Sequence, residues 1–334
     1  MTSSTMKVGI LGAGGVVEAS HLPVLSQMPG VRVEWLCDLD LGRAAKLARG
    51  WKVPHAHDKL RDCPDVDAVL IAIPVGRRRE ALAAIFERRW HAFVEKPFAT
   101  TAEDHLRILR EAAGAGTEVG VGLMRRFYRS TGAARLALAE EVFGPVREVW
   151  ASEASRMGTT GREGSWYQAD PSAAGGGVLI ETGSHLVDQV FHVLGAQSYD
   201  GLRVQFTKVD GIDIEIRAVA ELQRAGGSRV PLRLLISRAR DFYTGVVIRC
   251  EHASIRFGVG PDSAVEVLGR DDRPLCRLER APGAINLFQA FFQEWQAFLG
   301  QCRSRVPSLV DATSALLSTR FIEAAYETGA GRQK

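Results

Sequence analysis

Lys7-Val8-Gly9-Ile10-Leu11-Gly12-Ala13-Gly14-Gly15-Val16-Val17 decides the fold of this chain. An apolar strand over 7–11 runs into a glycine-rich turn, and a helix is expected over 16–27. The first glycine permits the tight turn, and the second lets a pyrophosphate approach the backbone. The amides at the start of the helix then face the anion. The third position of the usual fingerprint is Gly or Ala. Val17 stands there instead and would push the helix slightly off the strand.

Outward from this turn, residues 7–122 alternate strand and helix. Further strands are expected at 31–37, 66–73, 92–94 and 118–121, with helices at 41–49, 77–89 and 102–113. Thr101 caps the last helix, with Asp104 three residues on, and Gly114 and Gly116 end it. Apolar, β-branched strands separated by helices imply a parallel sheet covered on both faces. After about residue 124 the rhythm changes. A helix near 131–140 and a strand over 146–153 lead to a loop rich in Gly, Arg and Ser, then to a helix over 177–194. Strand-like segments then succeed one another from 202 to 278 with short turns, Gly226-Gly227 among them, which means an antiparallel sheet. Two helices close the chain. In the first, Phe288, Phe291, Phe292, Trp295, Phe298 and Leu299 keep helical spacing, a stripe that reads as core or interface.

With 334 residues the chain is too long for one ordinary core and suits two domains. Hydrophobic residues at 46% and charged residues at 24% are usual for a soluble protein. A net charge of +3 without a long basic run argues against a nucleic-acid partner. Arg77-Arg78-Arg79 and Arg88-Arg89 read as solvated helix ends. No apolar run approaches the ~20 residues of a membrane span, and Met1–Met6 lacks the apolar core of a signal peptide. Cys37, Cys63, Cys250, Cys276 and Cys302 are scattered, which fits reduced thiols in a cytoplasmic protein rather than disulfides or a metal site.

Three further positions carry chemistry. Asp38 ends the second strand, where a carboxylate accepts hydrogen bonds from the adenosine ribose and repels a 2′-phosphate. NAD is therefore expected over NADP, with Arg43 nearby as the residue that could admit a phosphate. Glu95-Lys96-Pro97 follows the strand at 92–94, so Lys96 points into the crevice at the carboxyl ends of the strands. A lysine there can take the proton that an alcohol loses with its hydride, or donate it in the reverse direction. The third cluster is Gly175-Gly176-Gly177 followed by Glu181, His185 and Asp188. At i, i+4 and i+7 these share one helix face, where an acid and an imidazole can bind a sugar-like hydroxyl and relay its proton.

Taken together, these motifs identify the chain as similar to the glucose-fructose oxidoreductase, inositol dehydrogenase and rhizopine-catabolism family (Gfo/Idh/MocA). The resemblance covers essentially the whole length. It rests on Gly12-Ala13-Gly14-Gly15 with His21-Leu22-Pro23, on Ala72-Ile73-Pro74, on Glu95-Lys96-Pro97, on Gly122-Leu123-Met124-Arg125-Arg126-Phe127, and on the Glu181…His185…Asp188 segment. It implies a doubly wound parallel Rossmann sheet in residues 1–124 and a domain built on a large, mostly antiparallel open sheet in 125–334, the last helix free to pack back on the first domain. It also implies hydride transfer between NAD(P) and a secondary alcohol or ketone of a sugar, cyclitol or sugar derivative. Lys96 is then the catalytic lysine, with His185 and Glu181. The expected cofactor contacts are Gly12, Gly14, Gly15, Val16, Asp38, Ile73, Pro74, Glu95 and Lys96. The expected substrate contacts are Lys96, Arg125, Arg156, Trp166, Tyr167, His185 and Asp188. Arg162 lies in the same loop. The sequence departs from the family pattern at four places: Glu181 for Asp, Ile73 for Thr, Arg78 for His and Met124 for Asn, which implies an altered pocket. A redox-neutral NAD-dependent glycoside hydrolase and a non-catalytic nucleotide-sensing regulator are the alternatives, and retention of Lys96, Glu181 and His185 speaks against the second. A homodimer or homotetramer through the C-terminal sheet is expected.

Overall fold

The structure is a computed structural model that describes residues 5–154, 171–278 and 286–330. The chain forms two compact units, 1–124 with 287–316, and 125–286 with 317–334.

The first unit holds β1 (Met6–Leu11), β2 (Val31–Cys37), β3 (His55–His57), β4 (Ala68–Ile71), β5 (His91–Glu95) and β6 (Val119–Gly122). They lie in the order β3-β2-β1-β4-β5-β6, and every pairing is parallel. All four residues of β4 are buried, as expected for a strand covered on both faces. The order reverses between β1 and β4, so the crevice beyond their carboxyl ends is the ligand position of such sheets. The helix Ala102–Ala115 starts as expected, with Thr101 Oγ1 accepting the Asp104 amide at 3.1 Å. It ends at Gly116 in the left-handed region.

The aromatic stripe on the helix Leu287–Ser304 belongs to this unit. Trp295 and Phe298 are fully buried, with ring centroids 4.7 and 5.0 Å from Phe93 of β5. Burying aromatics of this size contributes about 1.5–3 kcal/mol each. The segment beyond the helix runs along β6, where the Val121 amide donates to the Val310 carbonyl at 2.8 Å. That covers an edge strand that would otherwise offer unpaired amides. The sequence placed 125–334 in the second domain and left only the last helix free to pack back, whereas the segment grouped with the first unit is 287–316. The return of 287–316 follows from where this stripe finds an apolar face.

The second unit is built on β7 (Val146–Ala154), β8 (Ala196–Val209), β9 (Ile212–Arg224), β10 (Arg229–Ser237), β11 (Gly245–Cys250), β12 (Ser254–Phe257), β13 (Val265–Leu268) and β14 (Pro274–Leu278). Their order is β14-β13-β12-β11-β7-β10-β9-β8. Within this sheet β7 and β10 pair in parallel, and the other pairings of its described strands are antiparallel. Burial alternates along β10 with the two-residue period of a half-buried strand. One face carries a core shared with the helices Arg129–Ala139, Ser184–Leu194 and Leu316–Ala330. The other face exposes Trp150 and Tyr243. It forms a shallow concavity of about 660 Å³ lined by Arg217, Arg233, Arg240 and Arg249 among others.

Candidate active site

The turn after β1 needs its first glycine. Gly12 has φ +103°, and a β-carbon there would lie 2.6 Å from the Ala72 carbonyl oxygen. Gly14 and Gly15 are different: a β-carbon on either would meet no protein atom within 4 Å. Their backbone therefore faces open space at the start of a helix, the cradle that a pyrophosphate requires. Val16 is partly exposed and Val17 fully buried. After α-helical Gly15 and Val16 the helix makes a π turn over Val17–His21 before α-helical Leu22–Leu25. The Asp38 carboxylate accepts the Ala13 amide at 2.7 Å through Oδ2 and the Asp40 amide at 2.9 Å through Oδ1. Each oxygen keeps a lone pair for a ribose hydroxyl. The Arg43 guanidinium stands 3.9 Å from Asp38 and 3.5 Å from Asp40. These residues fit a bound dinucleotide.

Around Lys96 the main chain is held by buried side chains. The Glu95 carboxylate is tied at one oxygen to His21 Nε2 at 2.8 Å, and at the other to the Lys96 amide at 3.0 Å. His21 is fully buried, and its Nδ1 accepts from the Trp295 indole N–H at 2.9 Å. An indole can only donate, which assigns the His21 tautomer: Nδ1 accepts and Nε2–H donates to Glu95. Burial alone would raise the Glu95 carboxyl, but the His21 hydrogen bond and the Lys96 and Arg78 charges hold it below its usual value. The Lys96–Pro97 bond is cis. Arg78 is not the solvated residue that its place in an arginine triplet suggests. It is 4% exposed. Its Nε donates to the Ile73 carbonyl at 2.8 Å, and its Nη1 to the Glu95 carbonyl at 2.7 Å and to the Pro97 carbonyl. Ile73 and Pro74 follow β4.

In the second unit, Glu181 lies in a π turn over Leu179–Gly183 that leads into the helix Ser184–Leu194 bearing His185 and Asp188. The wider i→i+5 winding alters the simple i, i+4 register. The Glu181 carboxylate pairs with Arg238 and accepts from Thr182 Oγ1 at 2.6 Å. His185 is 8% exposed. Asp188 corrects the sequence reading. Its oxygens accept from Arg126 Nε at 2.8 Å and Nη2 at 2.5 Å, and the residue is 2% exposed. With both oxygens engaged and no accessible surface to speak of, Asp188 anchors its helix to the Met124–Phe127 turn rather than meeting a substrate. Arg125 is likewise committed, with a bidentate pair at 2.8 Å to Glu153 of β7. Arg156, Arg162, Trp166 and Tyr167 lie outside the described residues.

The triple glycine has a local cause. Asp213, opening β9, accepts the Gly177 amide at 2.8 Å and the Leu179 amide at 2.9 Å, satisfying donors at the head of the helical segment. Tyr326 donates to the same carboxylate at 3.1 Å. A β-carbon on Gly177 would lie 2.2 Å from the Asp213 carbonyl oxygen, and one on Gly176 2.3 Å from the Tyr326 hydroxyl. Gly176 and Gly177 thus serve close approach to Tyr326 and Asp213. Gly177→Ala is expected to destabilise the second unit by about 1–3 kcal/mol, the cost of overpacking against backbone. Urea unfolding reads this, and a variant as stable as the parent would show that the close approach is not required. Arg78, Asp213, Arg238 and the His21–Trp295 link escaped the sequence reading. Arg78 left a trace there as a departure from the family pattern, and His21 and Trp295 stood there as parts of a family motif and an aromatic stripe, without the link between them.

Known proteins resemble this chain in sequence and in fold. The model of an oxidoreductase family with an NAD-binding Rossmann fold matches residues 6–123. Inositol 2-dehydrogenase of Paracoccus denitrificans is 32% identical over 306 residues, 87% of this chain and 81% of that protein. Two solved structures share the fold across both units. A 3-ketoreductase from Actinomadura kijaniata, in complex with NADP and TDP-benzene, superposes with a TM-score of 0.82 at 19% identity, covering 97% of this chain and 98% of that one. Levoglucosan dehydrogenase, in complex with NADH and levoglucosan, gives 0.82 at 18% identity, covering 98% of each. With the glycine cradle, the six-stranded parallel sheet and the eight-stranded partner sheet in the same chain, this protein belongs to the Gfo/Idh/MocA family of NAD(P)-binding oxidoreductases.

Proposed function

We propose that the chain is an NAD-dependent dehydrogenase or reductase acting on a secondary alcohol or ketone of a sugar or cyclitol, with Lys96 as general acid and base. One observation carries this reading: Lys96 follows β5 at the carboxyl edge of the parallel sheet, in a turn whose main chain is held by buried Glu95 and Arg78. The glycine cradle would hold the pyrophosphate and Asp38 the adenosine ribose. The nicotinamide, when bound, accepts or returns the hydride. Lys96 takes the hydroxyl proton as the alcohol is oxidised, and gives it back to the alkoxide in reduction. His185 holds the reacting oxygen or its neighbour, and the Glu181–Arg238 pair borders that helix. Sugar or cyclitol substrates are supported by the inositol 2-dehydrogenase relative. The exposed Trp150, Tyr243 and arginines of the open sheet face support its use as a homo-oligomer contact.

NAD is preferred over NADP in this reading because the Asp38 carboxylate would repel a 2′-phosphate, even with Arg43 beside it. The test is nicotinamide absorbance with NAD and with NADP over myo-inositol, levoglucosan and common aldoses. Ligand binding is scored first by thermal shift, since a bound ligand adds stability as RT ln(1 + [L]/Kd). Turnover of a polyol with higher kcat/KM for NAD is the expected result. Equal or better use of NADP rejects the cofactor preference, and failure on every polyol rejects the substrate class.

A further inference from the structure

Lys96 is flanked by two carbonyls, those of Glu95 and Pro97, and both accept from the same nitrogen, Nη1 of Arg78. The third hydrogen bond of that guanidinium, from Nε, reaches Ile73 at 2.8 Å, just beyond β4. One side chain therefore ties the chain leaving β4 to the turn that carries the lysine. Removing a guanidinium from water is costly unless its donors are met. Here three backbone carbonyls and the nearby Glu95 charge meet them. Burial pushes the Arg78 group down to about 10, against the opposing pull of Glu95, so it stays charged at neutral pH. The Lys96 amide donates to the carboxylate of Glu95, the residue whose main-chain carbonyl Arg78 holds.

We infer that Arg78 is a positioning residue for Lys96, clamping the carbonyls on both sides of it so that the ammonium is delivered to one place at the carboxyl edge of the sheet. The inference rests on the reading of Lys96 as the acid–base group. It assigns a role to a residue that neither touches the reacting atoms nor forms part of the glycine cradle. A planar fork with several fixed donors can hold three carbonyls at once, which a lysine or a methionine cannot.

The test compares the parent with Arg78→Met and Arg78→Lys. It reads kcat with NAD and whichever of myo-inositol, levoglucosan or an aldose the parent turns over, the Kd for NAD, and hydrogen exchange resolved to the Lys96 amide. A displacement of about 1 Å at a catalytic group costs on the order of 10²-fold. Arg78→Met should therefore lose about that factor in kcat, keep its NAD Kd within about threefold, and exchange the Lys96 amide faster while the β5 amides are unchanged. Arg78→Lys, which keeps the charge but not the fork, should recover to within roughly tenfold of the parent kcat. Unchanged kcat in Arg78→Met overturns the inference, as does a fall in kcat that only follows a fall in NAD affinity. If Arg78→Met does not fold, Arg78→Lys decides: reduced kcat at parent NAD affinity supports the role, and parent kcat overturns it. If the parent turns over none of these sugars, the proposed function fails by itself. Exchange of the Lys96 amide then decides for Arg78, faster exchange supporting the clamp and unchanged exchange overturning it.

Discussion

A Lys96→Met enzyme is expected to lose about 10²–10⁴-fold in kcat, the usual contribution of a positioned acid–base group, while binding NAD within a few-fold of the parent. The side chain reaches from a turn whose backbone is set by Glu95 and Arg78. Methionine of similar length removes the proton-transfer group without asking the turn to move. Steady-state rates and the NAD dissociation constant measured on the same preparation separate the two effects. His185→Ala should also lower kcat/KM more than it changes NAD affinity. A Lys96→Met enzyme with parent turnover would make the lysine structural and remove the centre of the proposed mechanism.

The largest effect on stability is expected from Arg126→Met. Arg126 and Asp188 are 5% and 2% exposed and bound at 2.8 and 2.5 Å. Removing one partner of such a pair strands a buried charge, at a cost of about 3–5 kcal/mol. Replacing both together, as in Arg126→Met with Asp188→Leu, should recover most of that loss, because a well-packed apolar pair carries no desolvation penalty. Urea denaturation of the single and double variants gives the coupling directly. A single variant within 1 kcal/mol of the parent would show that the pair is more hydrated than its burial implies.

Much of the first unit was legible because its signals are local. The strand at 31–37 was placed residue for residue, and the Thr101 cap was readable from its three-residue spacing. β3 was missed. His55–His57 is three residues long and carries no apolar pattern, so pairing with β2 defines it as a strand. The second sheet could be recognised as mostly antiparallel from its short turns. The parallel pairing of β7 with β10 could not, because those strands are joined through distant chain. The same divide runs through the candidate site. The glycine turn, Asp38 and Lys96 announce themselves by position after a strand. Asp188 was misread because its partner Arg126 lies 62 residues away, and no local pattern separates a ligand contact from a buried ion pair. Arg78 looked like one of three surface arginines. Its burial depends on carbonyls 5, 17 and 19 residues off.

The hydrogen bond from Trp295 to His21 spans 274 residues, and it bears on the order of events during synthesis. The parallel sheet is complete in sequence by residue 122, yet the aromatic helix that seals Phe93 and His21 is translated near the chain's end. At about 5–20 residues per second, roughly 14–55 s separate His21 from Trp295 on the ribosome. Until then the apolar face beneath that helix has no cover, and a nascent chain in that interval is a natural client for a holding chaperone. A fragment ending at residue 124 is likewise expected to aggregate, and a circular permutant that places 287–316 ahead of β1 to fold its first unit early in translation.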